Sequence, residues 1–331
     1  MSSEQQAVGG PLGPAPVRRP GSIRRTSTIE FTWPTGFGKA MAMDGRARDA
    51  FTPAGGGGPR IIDETRVSAT ITLERTIEAI TVEPANPGIA GLVGCRGGGH
   101  LRSAIEEHLP GQRESGTPLY LVLDDISGTS LIAGFAWSRW GDEWQQHKRD
   151  EKWTPTENIC MGFATGNSSL IEMTQDNRPS RVHVVGSLVN PEDPQGWHDT
   201  APHEGVHMQR ARRIDVWLED GVIQIDSSFR DSASDPHDHR VAIHEYALRA
   251  TADPATMTVT SAWADPRILP FMECPAAART VEAIVGAPLA QLRTVVLERL
   301  ARQKGCTHLN DAMRALAEVP VLVSALEAAT A

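Results

Sequence analysis

The chain is poor in cysteine. Cys95, Cys160, Cys274 and Cys306 are too few and too widely separated among 331 residues for a disulfide framework, so any role they have is as thiols or ligands. No apolar run reaches membrane-spanning length, and the N-terminus lacks the hydrophobic core of a signal peptide, so the expected location is the cytoplasm, with no membrane partner. Basic excess is missing too. A net charge of −9 and a pI near 5.7 give no electrostatic reason to expect nucleic acid. The arginine pairs Arg18-Arg19, Arg24-Arg25 and Arg212-Arg213 then read as solvated strand ends. The glycine-rich stretches "AGGGGP" (Ala54 to Pro59) and "CRGGGH" (Cys95 to His100) have neither the spacing nor the lysine of a phosphate loop, and no nucleotide cofactor is expected. What is present, 40% hydrophobic and 22% charged residues, suffices for two core-bearing units.

Residues 1–22 are rich in Pro, Gly and Ser and read as a disordered tail. "RRIDVWLEDGVIQIDSSFRD" carries two β-rich runs across Asp220-Gly221, a hairpin signal, and "VAIHEYALRATADPATMTVTSAWA" repeats the plan with Asp253-Pro254 as its turn. Helices follow: Pro275 suits a first helical position, Gly286 and Pro288 interrupt before "LAQLRTVVLERLAR", and "HLNDAMRALAEV" stops at Pro320.

The first half shows the same order. "IDETRVSAT" (Ile62 to Thr70) aligns with "IHEYALRAT" (Ile243 to Thr251), Arg48 to Pro53 with Arg230 to Pro236, Cys95 with Cys274, and Leu123-Asp124-Asp125 with Leu309-Asn310-Asp311. Four matches drifting by only a few residues argue for a tandem duplication. The expected fold is α+β: a first repeat over 23–132, a long connection over 133–206, and a second repeat over 207–331. Each repeat would be a four-stranded antiparallel sheet with helices on one face, the two forming an intrachain pseudo-dimer. In the connection, Trp137, Trp140 and Trp144 at helical spacing read as a helix face laid on the core.

"HEGVH" (His203 to His207) matches the HExxH pattern of zinc proteases, but Gly205 weakens the helix that the chemistry needs and the strand starting near Arg213 leaves it barely two turns, which disfavours a metalloprotease. The second repeat is the better candidate. His244 lies on the strand face shared with Tyr246, Leu248 and Ala250, directed into the core or into a pocket in its wall. Cys274 precedes Pro275 at a helix start, and Cys306 precedes Thr307, an expected N-cap. Both thiols would feel a positive helix end and lean toward thiolate, while His308 in the first turn would lean toward neutral imidazole. Metal ligands His244, Cys274, Cys306 and His308 suit a zinc or iron ion, with Glu245 or His308 moving a proton. Glu245 lies on the opposite strand face if the strand is regular. The first-half counterparts are Asp63, Cys95, Tyr120 and Val122, so one full site is retained.

The hairpin, Cys274 at a helix head and Cys306 at a later one resemble the NifU-type iron–sulfur scaffold fold, whose ligand positions fall on His244, Cys274 and Cys306. Histidine in place of the first cysteine, and Gly305 where that family has a histidine, make a single ion more plausible than a cluster. Over nearly its whole ordered length the chain also resembles a bacterial family known only as a domain of unknown function, through "RRTSTIEFTWP", "DGRARD", "RRIDVW", "IHEYAL", "ECPAA" and "GCTHL". That resemblance implies catabolism of aromatic or steroid-like compounds. The expected function is therefore a metal- or thiolate-assisted lyase or hydratase acting on a hydrophobic small molecule, self-association being compatible with it. The alternatives are an iron–sulfur or metal scaffold and a non-catalytic small-molecule binding protein.

Overall fold

The computed structural model describes residues 9–141, 156–170 and 181–330. Nine strands form one antiparallel sheet. The first half contributes β1 (Ser22–Thr32), β2 (Met41–Thr52), β3 (Arg60–Ile71) and β4 (Ile77–Glu83); the short β5 (His183–Val185) follows. The second half adds β6 (His207–Glu219), β7 (Val222–Ser234), β8 (Arg240–Asp253) and β9 (Thr258–Ile268). Each half is a meander, and the two join where β1 pairs antiparallel with β6, giving the order β4-β3-β2-β1-β6-β7-β8, with β9 and β5 both on β8.

Local chemistry explains the turns. Asp220 and Gly221 both adopt positive φ, 52° and 74°, the conformation a two-residue hairpin loop requires. At the second turn the Asp253 carboxylate accepts from the Ala255 amide at 2.9 Å and from the Thr256 hydroxyl. The meanders also agree in their irregularities. The register slips after Asp49 (opposite Asp63) in the first half and after Asp231 (opposite His244) in the second, and again at Thr70 and at Thr251.

One face of the sheet carries the helices α1 (Gly99–His108), α2 (Pro118–Ile132), α3 (Phe135–Arg139), α4 (Leu292–Arg299), α5 (Thr307–Ala315) and α6 (Val319–Thr330). Two apolar cores result, one built mainly on the first meander around Val67, Leu101 and Ile126, the other on the second around Tyr246, Leu292 and Leu309. Pro320 sits in the first turn of α6, where its missing N–H costs nothing, so it begins a helix as well as ending the previous one. The expected helix after Cys274 is instead a run of 3-10 turns, Cys274–Ile284.

The opposite face is covered as well, which corrects the expected disordered tail over 9–22; residues 1–8 of it lie outside the described residues. Residues 9–21 run along the sheet: Ala15 is buried, the Leu12 amide donates to Glu245 at 2.6 Å, and Arg18 pairs with Asp193 at 2.7 Å. The connection supplies the rest, with Trp197 packed near Ala15 and Ala211, and the His198 ring between the hydroxyls of Thr26 and Thr28. Trp137 is in the core, edge-on to Trp33, and the Trp140 indole donates to the Ser234 carbonyl at 3.0 Å; Trp144 lies outside the described residues.

Because both faces are covered, two of the three arginine pairs read as solvated strand ends, Arg24-Arg25 and Arg212-Arg213, are interior residues, while Arg19 is exposed. Arg24 donates to Asp215 at 2.6 and 2.7 Å and Arg25 to Asp49 at 2.6 and 2.5 Å. Arg212 donates to Asp125 at 2.6 and 2.7 Å. Arg213 reaches Asp215 and Asp226. Guanidinium groups enter a protein interior only with carboxylate partners, and these have them.

Candidate functional site

The site is assembled by strand register and one helix start. Asp231 on β7 and His244 on β8 are direct cross-strand partners on the face toward the helices, followed on β8 by Tyr246. The register slips directly after Asp231, an irregularity of the kind often found beside functional residues. Helix α5 then brings His308, in its first turn, down onto the pair. The two imidazoles stack, with centroids 3.5 Å apart and planes at 16°, and His308 Nε2 lies 3.6 Å from Asp231 Oδ2. One donor atom from each of Asp231, His244 and His308 falls within 4.8 Å of the others.

Burial sets the protonation. Both histidines are held well below the usual imidazole range, first by desolvation; Arg210 adds to this for both, the neighbouring His308 for His244, and Arg212 for His308. The rings are therefore neutral near pH 7, the form that ligates metal or accepts a proton. His244 Nδ1 is buried without a hydrogen-bond partner. Asp231 is fully buried and His308 is the most exposed of the three, with 17% of its side chain accessible.

Asp231 is held in place by Arg210, which donates from Nε at 2.8 Å and from Nη2 at 2.9 Å. Each carboxylate oxygen keeps a further lone pair. Arg210 is one link in a buried chain of ion pairs between sheet and helices. It reaches Asp311 at 3.3 Å; Arg314 joins Asp311 to Asp124, both at 3.0 Å; Arg293 joins Asp124 to Glu318; and Glu318 accepts from Arg25 at 2.9 Å. The chain begins on the second meander beside the histidines and ends on the first.

The predicted thiols are close by in a different setting. Cys274 and Cys306 are buried in the apolar core of the second half, and burial raises both, Cys306 to about 11 and Cys274 well above the ordinary thiol range. The expectation of thiolates at positive helix ends is overturned: desolvation exceeds what the helix terminus supplies. Cys306, not Thr307, is the α5 N-cap, and no side chain caps that end. The Tyr246 hydroxyl faces Cys306. Residues 156–170 strap across these thiols, with the Met161 amide donating to the Gly305 carbonyl at 2.9 Å. Gly162 is required there, since a Cβ would lie 2.7 Å from Cys274 Sγ.

Glu245 belongs to the other face of the sheet. Its carboxylate accepts from Arg230 at 2.5 Å and from the Leu12 amide at 2.6 Å, which removes it from the proton-transfer role assigned from sequence. "HEGVH" runs through a turn into β6 without helix, so His203 and His207 do not share the helix face a zinc protease uses. Sequence reasoning missed Asp231 and Arg210. The available signal was the pairing of "RARRID" with "SSFRD" across the Asp220-Gly221 hairpin, which places Arg210 opposite Asp231.

Residues 208–322 match the family described as "Protein of unknown function (DUF2889)". The DUF2889 match spans β6 to the start of α6 and so contains Arg210, Asp231, His244, Cys274, Cys306 and His308 together. No curated protein and no solved structure gives a significant match.

Proposed function

We propose that the chain is a metal-dependent enzyme of the lyase or hydratase class, acting on a hydrophobic small molecule, with Asp231, His244 and His308 as the ligands of a zinc or iron ion. The observation that carries this reading is the convergence of three donor atoms within 4.8 Å, one of them on a ring whose Nδ1 is buried without a partner. Two imidazoles and one carboxylate suit a catalytic divalent ion, since a ligand set of three leaves positions for substrate. A bound ion would supply Lewis acidity toward a substrate hydroxyl or carbonyl. The chain's own contribution is to hold Asp231 through Arg210, keep both rings neutral, and surround them with apolar groups such as Phe229, 6.2 Å from His308. The shared register slips of the two meanders support a duplicated ancestry, with Asp49 and Asp63 standing where the second half has Asp231 and His244.

Cobalt(II) titration of the metal-free protein, read by visible and near-ultraviolet absorption, tests the ligand set. An oxygen and nitrogen set gives weak bands without sulfur-to-cobalt charge transfer. Intense near-ultraviolet charge transfer would place Cys274 or Cys306 on the metal and favour the thiolate scaffold.

A further inference from the structure

A second polar cleft lies away from the histidine stack, where β1, β6, β7 and β8 meet the loops 200–206 and 235–239. It encloses about 470 Å³ and is lined by Glu30, His203, His207, Gln209, Asp238 and Arg240 among others. Glu30 is the unusual member. It is 4% exposed, and its Oε1 accepts from Gln209 at 2.5 Å and from Arg240 at 3.4 Å, yet Oε2 is buried with no partner. His203 Nε2, on the facing loop, is likewise buried without a partner. By contrast, both nitrogens of His207 are engaged: Nδ1 with the Gly205 carbonyl at 3.0 Å and Nε2 with Arg240 at 3.1 Å. The Asp235 carboxylate is occupied by the amides of His237 and His239.

The unmatched atoms identify the ligand. An ionised Glu30 carboxylate only accepts, and a neutral His203 accepts at Nε2 when its proton is on Nδ1, so a donor with several N–H bonds matches both atoms. Glu30, Asp235 and Asp238 outnumber Arg240, so the cleft favours a positive ligand. Metal is the poorer fit, because His207 Nε2 is committed to Arg240 and, among the described residues, this cleft does not bring three donor atoms of His, Asp or Glu together as the Asp231, His244 and His308 group does. We propose that this cleft binds a primary ammonium group, with Glu30 Oε2 and His203 Nε2 as its acceptors. The "HEGVH" segment thereby gains a role as one wall of an amine site.

Protonation of Glu30 is coupled to occupancy. Burial pushes its carboxyl up to about 7, with Asp44 on β2 acting in the same direction and Arg240 and Gln209 opposing. His203 and His207 are held low, chiefly by burial, Arg240 contributing to both. An ammonium at Oε2 favours the ionised carboxylate, so binding below pH 7 releases a proton from Glu30.

Calorimetric titration with n-butylammonium, with 1-butanol as the neutral isostere and zinc as a separate arm, tests the site in the full chain. Expected are saturable n-butylammonium binding, none for 1-butanol, and a proton release at pH 6 seen as buffer-dependent heat. Affinity should fall by about tenfold or more in Glu30→Gln, the loss of one charge-assisted hydrogen bond. His203→Ala, in a partly exposed loop, provides the same reading if Glu30→Gln folds poorly. Equal affinity of n-butylammonium for wild type and both variants, no amine binding, or zinc binding abolished by Glu30→Gln would overturn the proposal. The histidine stack is not involved, so either result leaves the proposed metal site untouched.

Discussion

His308 Nε2 lies 3.6 Å from Asp231 Oδ2 while the His308 ring stacks on His244 at 3.5 Å, so one helix residue closes a site whose other two members are fixed by a single strand register. The two parts of this arrangement differ in what their removal does to the fold. Asp231→Asn takes from buried Arg210 the carboxylate that receives two of its N–H bonds, leaving only the longer contacts to Asp125 and Asp311, and should cost about 3–5 kcal/mol of stability. His308→Ala removes a partly exposed ring that shares no such pair and should cost less than about 2 kcal/mol. Denaturant unfolding of both variants checks this; similar losses would mean that the ring is structural.

The ion-pair chain from Arg210 to Arg25 should behave as interior structure. Glu318→Gln takes a carboxylate from both Arg25 and Arg293, and a loss of about 3–5 kcal/mol is expected. Buried pairs are little screened, so the difference between variant and wild type should persist in about 1 M salt, where the Debye length is ~3 Å. A difference that vanishes with salt would show that these groups are hydrated.

Acid should destabilise the protein early. His198 is lowered to about 3 and His207 to about 4, and His244 and His308 are also low, so below about pH 6.5 the unfolded chain binds protons that the folded chain refuses. Stability from these groups is complete above that pH and declines as pH falls. Glu30 acts in the opposite sense: raised to about 7, it takes up a proton in the folded state first, so its contribution weakens as pH rises from about 4.5 to 7. Unfolding free energies of wild type and Glu30→Gln across pH 5 to 8 should converge at the acid end and separate toward pH 8, the variant being the more stable there. A constant gap would contradict the assignment.

Thiol chemistry offers an independent check. Cys274 and Cys306 are buried and protonated, so alkylation by iodoacetamide at pH 8 should leave both unmodified in the native state and modify both after unfolding. Rapid native labelling of Cys306 would restore the reactive thiolate that its helix position suggested.

Much of the fold was legible because hairpin chemistry and strand alternation are local. Asp220-Gly221 and Asp253-Pro254 mark turns, and the His244–Tyr246–Leu248 face follows from period two alone. The internal similarity anticipated two four-stranded meanders with helices after each. What escaped depends on burial on both sides of the sheet, which no local pattern carries. Arg24, Arg25, Arg212 and Arg213 look like surface charges until residues 9–21 and 183–199 are seen to cover the second face. The same omission made Cys274 and Cys306 read as thiolates, since a helix end is visible in sequence and desolvation is not. The sequence names His244 and His308 as candidates and the structure stacks their rings, whereas the place of Asp231 beside them needs the β7–β8 register; Glu245, on the opposite face as regular alternation expects, turns to Arg230 and the Leu12 amide.

The central claim is the ligand set, and metal stoichiometry tests it most directly. Protein purified without chelator, then measured for zinc and iron as wild type, His308→Ala and Cys306→Ala, should carry about one ion per chain in wild type and Cys306→Ala and almost none in His308→Ala. Metal-free wild type that also fails to take up either ion on reconstitution, or metal lost with Cys306 and kept without His308, would contradict the account.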